Sequence, residues 1–145
     1  MSDDPYIQCR DAILEAVKTL TTYFPKDYQV TLNRSDVSRG ADYWFLMRRG
    51  SFSDTRLEAH DSLVTWNFRC ELAVRFVIYN ERADKLDEVL GAVRAVLKKP
   101  HTLKNIRLKP PVLVAGEDLR QDVPGLTPNF IIAPLNIVIT QIVPN

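Results

Sequence analysis

Histidine and cysteine are scarce in this chain, two of each, and glycine occurs five times against nine prolines. The two cysteines have no Cys-x-x-Cys or Cys/His spacing, which excludes the common structural zinc sites. The start, Met1-Ser2-Asp3-Asp4, is acidic and no apolar segment follows it. The sequence therefore predicts no secretory signal, and two reduced thiols in a protein made and folded in the cytosol. No apolar run approaches the ~18 residues of a membrane span. Phosphate-binding glycine loops, dinucleotide fingerprints, nucleophile elbows and His-Glu-x-x-His helices are all absent. An excess of one charge is missing too: 19 Lys and Arg against 18 Asp and Glu leave +1, without the electrostatic footprint of a nucleic-acid or anionic-membrane binder. With 46% apolar and 26% charged residues over 145 positions, the chain reads as one globular domain, 1–145. The proline excess suits a β-rich chain with stiff connections.

The first predicted element is a helix. Asp4 caps it, Pro5 takes the first helical position, and Ile13, Val17, Leu20 and Phe24 recur on one face until Pro25 stops it. A short strand is expected at 28–33 and an aromatic one at 43–49. Residues 50–62 are small and polar, the composition of an exposed loop. A second helix spans 82–98, with Leu86, Val89, Leu90, Val93, Val96 and Leu97 as its apolar stripe, Lys98 and Lys99 at its negative dipole end, and Pro100 closing it. Short strands at 106–109 and 112–115 precede a last apolar segment, 130–143, in which Pro134 points to an edge position or a bulge. This order predicts an α+β fold: two helices packed on one face of a mainly antiparallel sheet.

The longest signal lies at 64–79. Val64, Trp66, Phe68, Cys70, Leu72, Val74, Phe76 and Ile78 alternate with Thr65, Asn67, Arg69 and Glu71, which is the period of a strand. The odd face turns apolar at Ala73, Val77 and Tyr79, as if covered on both sides there. Sixteen extended residues reach about 50 Å, while a domain of this length is about 40 Å across. The strand therefore bends or projects as a hairpin with 43–49. A projecting stripe of Val64, Trp66 and Phe68 needs cover, and a second chain supplies it in the reading taken here: a subunit interface through Trp44, Leu46, Val64, Trp66 and Phe68. The alternative is that the protein's own helices cover the whole face.

Candidate chemistry is sparse. Glu58, His60 and Asp61 sit together, but in a polar loop, and read as solvated. His101 follows a helix end. The basic run Lys98, Lys99, His101, Lys104, Arg107 and Lys109 lacks interleaved aromatics and reads as a solvated or partner-facing edge. Arg48, Arg49 and Arg56 read as charges flanking the loop. Trp44 and Phe45 fall on opposite strand faces, one entering the core and the other meeting a neighbour or solvent.

The order of elements, IQCRDAILEAVKTL, then YWFLMRRG, TWNFRCELAVRFVIYN, RADKLDEVLGAVRAVL and FIIAPLNIVITQIV, resembles the tail terminator, or tail completion, proteins of long-tailed phages. The TWxFxxELxVxF strand before a short helix is the sharpest local feature. The resemblance implies a structural assembly protein of the virion tail, put together in the host cytoplasm, that caps the finished tail tube as a hexameric ring and offers a surface to the head. It implies no catalytic residue, cofactor or metal. Its partners would be further copies of itself, the tail tube protein and a head completion or connector protein, with no membrane, and nucleic acid only passing through the ring. The loop carrying Asp54, Arg56 and Glu58 would face tube or head. Two other readings are a head-tail connector (neck) protein and a nuclear-transport-factor-like cone domain binding a small molecule.

Overall fold

Asp4 opens the first helix, α1 (Pro5–Lys18), by accepting a hydrogen bond from the Ile7 N–H at 3.1 Å. Pro5 sits at the first turn, where its missing N–H costs nothing. The computed structural model describes residues 4–32, 41–56, 60–76, 79–98, 112–115 and 130–144. Cys9, Ile13, Ala16 and Val17 form the buried face of α1. The helix ends at Lys18, seven residues before the expected stop at Pro25. Thr19 turns its hydroxyl back onto the Ala16 carbonyl at 2.6 Å, and the β-branched Thr21 and Thr22 disfavour another helical turn. Leu20 and Phe24 still reach the core, but from the irregular turns that follow.

A 3-10 turn, Asp27–Gln29, leads to the two-residue strand β1 (Val30–Thr31). The buried Gln29 side chain ties this corner to the sheet: its Nε2 donates to the carbonyls of Tyr23 and Tyr43, at 3.1 and 2.9 Å. Then come β2 (Tyr43–Arg56), β3 (Asp61–Arg75), a 3-10 turn at Tyr79–Glu81, α2 (Arg82–Leu97), β4 (Val112–Ala115) and β5 (Phe130–Pro144). The sheet order is β1-β2-β3-β5-β4, with β1 parallel to β2 and every other pairing antiparallel. The fold is α+β.

Even-numbered residues of β3 from Val64 to Val74 face the helices. Phe45 and Met47 of β2 join them, as do Ile131, Ala133, Leu135, Ile137 and Ile139 of β5. α1 and the Leu86, Val89, Val93, Val96 and Leu97 stripe of α2 close over this layer, so both helices lie on one face as the order of elements predicted. On the other face Trp44, Ala73, Phe130 and Ile132 make a smaller cluster with Tyr28 and Ala41. The loss of alternation at Ala73 therefore does mark cover on both sides. It also corrects the reading of Trp44 and Phe45. Both are interior, one in each cluster, and the Trp44 Nε1 donates to the Ala41 carbonyl at 3.0 Å.

Strand β3 ends at Arg75, short of the predicted residue 79. Pro134 lies one residue beyond the described pairing of β4, which reaches Leu135, so that stretch of β5 has β3 on one side and no described strand on the other. That position tolerates a residue without an N–H. The predicted strand at 106–109, His101 and the basic run beyond Lys98 lie outside the described residues. No helix among the described residues is long and apolar enough to cross a membrane.

Candidate functional site

The β2–β3 hairpin changes character at one point. Arg48 pairs with Arg69 and Ser51 with Asn67, so Arg49 and Gly50 together oppose the single residue Phe68. This is a β-bulge, and it reverses the facing of every later residue on β2. Before it, Trp44, Leu46 and Arg48 face away from the helices. After it, Phe52 and Asp54 stand opposite Trp66 and Val64, on the helix side. Gly50 is required here: a Cβ would lie 1.9 Å from the Asn67 carbonyl oxygen, a backbone atom that cannot swing aside. The Gly50 N–H donates to the Tyr6 hydroxyl at 3.3 Å. The Tyr6 ring stacks on Phe68, with centroids 5.2 Å apart, and meets Trp66 edge-on at 5.6 Å.

Tyr6 thereby corrects the interface expectation. Val64, Trp66 and Phe68 are 4%, 9% and 0% exposed within this chain's own core, with Tyr6 of α1 lying against Trp66 and Phe68, and need no second chain. Trp44 and Leu46, at 1% and 5%, are equally interior. The helix spacing already pointed there, because stepping back from Ile13 reaches Cys9 and then the turn that holds Tyr6. Cys9 packs under the same end, its thiol donating to Gln141 Oε1 at 2.9 Å. Burial pushes the Cys9 thiol up to about 12, so it stays protonated and is no nucleophile. Cys70 is raised by burial as well.

The polar segment is also corrected. Residues 51–56 are strand rather than loop, and β3 resumes at Asp61. Asp54 lies in β2 and is exposed; Arg56 is the last residue of β2; Glu58 lies outside the described residues. His60, the residue before β3, is exposed. Ser51, Phe52, Ser53, Asp54 and Thr55 are all exposed, and Phe52, at 66%, is the most exposed large apolar side chain described. Ile142, on β5, is the other one at this end of the sheet, at 43%. The outer edge of β2 is paired with β1 only at Phe45 and Leu46, so from Met47 onward no described strand borders it. The site is thus a sheet edge ending in an arm, carrying one exposed aromatic.

Among the described residues no group of three or more His, Cys, Asp or Glu is placed to hold a metal ion. Neither a protein-family model nor a curated protein matches the chain.

Proposed function

We propose that the chain is a structural assembly protein of a phage tail. It associates through the distal arm of the β2–β3 hairpin into a ring, caps the completed tail tube and forms the surface for head joining. The observation that carries this reading is the outer edge of β2 beyond Leu46, which no described strand borders, with Ser51–Thr55 exposed on both faces and Phe52 at its centre. Such an edge presents unpaired N–H and C=O groups that a strand from another chain can complete, and an exposed aromatic supplies an anchor. A second copy of this chain, and then the tube end, are the partners this reading gives it.

The test is to mix purified protein with isolated tail tubes and image the ends by electron microscopy. The reading predicts six-fold rings at the ends and an end to further tube growth. Tube growth that proceeds unaffected with no protein bound would defeat it. So would a concentration-independent dimer enclosing a small-molecule pocket.

A further inference from the structure

The sheet face opposite α1 and α2 carries a second feature, separate from the hairpin arm. A shallow cavity of about 320 Å³ lies over the middle of the sheet and is lined by Arg48, Asn67, Arg69, Glu71, Pro134 and Asn136. The register explains its composition. Odd positions of β3 face this side, Arg69 stands opposite Arg48 on β2 and opposite Asn136 on β5, and Pro134 stands opposite Glu71. Like charges directly opposed across neighbouring strands destabilise a sheet. One of the two arginines is compensated: Arg48 bonds Glu71 at 2.9 Å, with the Glu71 side chain only 11% exposed. Arg69 is exposed and has no ionic partner among the described residues. Asn67 buries its Oδ1 without a hydrogen bond, so its amide N–H₂ is the end that remains available. The cavity therefore offers N–H donors from Arg69, Asn67 and Asn136 around one positive charge that no described residue compensates.

We propose that this cavity binds a carboxylate, the side chain of an aspartate or glutamate on a protein partner. The two guanidinium charges less the Glu71 carboxylate leave one net charge, which matches a monoanion. The planar guanidinium fork of Arg69 matches two carboxylate oxygens. A phosphate backbone fits less well, because its adjacent charges would meet Glu71, and the chain's +1 balance offers them no wider attraction. This proposal does not depend on the ring reading.

The test is a titration of the labelled full-length chain, following the Arg side-chain Nε–H and Asn amide signals by NMR. The probes are N-acetyl-aspartate methylamide, inorganic phosphate and a short DNA duplex. The aspartate probe is expected to shift the Arg69 and Asn67 signals saturably. Arg69→Gln should weaken that binding at least about tenfold while leaving the melting temperature unchanged. Glu71→Gln should tighten it, because Arg48 is then released to the ligand. No saturable shift, an unchanged affinity in Arg69→Gln, or weaker binding in Glu71→Gln would each overturn the proposal. Tighter binding of phosphate or duplex than of the aspartate probe would assign the cavity to phosphate and overturn it equally.

Discussion

The two halves of the β2–β3 hairpin share one ladder but meet different surroundings. In the proximal half, Tyr43–Arg48 against Arg69–Val74, both faces of the first few residues are buried: Phe45 and Met47 under the helices, Trp44 and Leu46 on the other side. In the distal half, Ser51–Arg56 against Ser62–Asn67, β3 remains covered on its helix side while the described side chains of β2 are exposed throughout. The Gly50 bulge divides them. Below it the hairpin is core, and above it only the inner strand is core. The difference shows how one chain can keep an extended strand folded and still expose an edge. Tyr6 packs on the inner strand β3 and Cys9 bonds Gln141 of the neighbouring β5, so the fold is held without any described strand along the outer edge of β2.

The widest gap should appear on the sheet face opposite α1 and α2. Trp44→Ala is expected to cost about 3–5 kcal/mol, as for other buried aromatics. Thr65→Ala, on the same face of the distal half, should cost under about 1 kcal/mol. Urea denaturation measures both, and similar costs would mean that the two halves are equally buried on this face. The covered side of the distal half should respond to alkali. Burial raises the folded Cys9 thiol from 9.0 to about 12, so below pH 9 both states hold the proton and stability is unaffected. Between pH 9 and 12 the unfolded chain loses its proton first, and stability falls by up to about 1.4 kcal/mol per pH unit. Buried Cys70 is raised in the same way, so Cys9→Ala should remove one of two such contributions and make the slope shallower in melts from pH 7 to 11. At the dividing point, Gly50→Ala should cost about 1–3 kcal/mol through the collision with Asn67, again read by denaturation. Tyr6→Phe keeps the stacking and loses only the bond from Gly50, so a drop of about 0.5–1 kcal/mol is expected.

Much of this was legible beforehand. The strict alternation from Val64 to Val74 located the central strand, and Asp4-Pro5 located the start of α1, because burial on one face writes itself into residue type. The distal half of β2 was not legible for the same reason: a strand exposed on both faces has no apolar period, and Ser51, Ser53, Asp54 and Thr55 read as loop. Gly50 carried a usable signal, since glycine within a strand pattern marks a bulge. Taken as the start of a loop, it hid the change of facing that brings Phe52 beside Trp66. The placement of Trp66 needed Tyr6, 60 positions away, and no local pattern contains that.

Under the proposed function, the distal arm of β2 serves association while the stripe beneath it serves folding. A paired substitution tests it directly. Phe52→Glu should leave the melting temperature of the isolated protein within a few degrees of wild type and abolish binding to tail-tube ends. Trp66→Glu should instead unfold the protein. A Phe52→Glu protein that still caps tube ends as well as wild type would contradict the account, as would a folded Trp66→Glu protein that has lost only association.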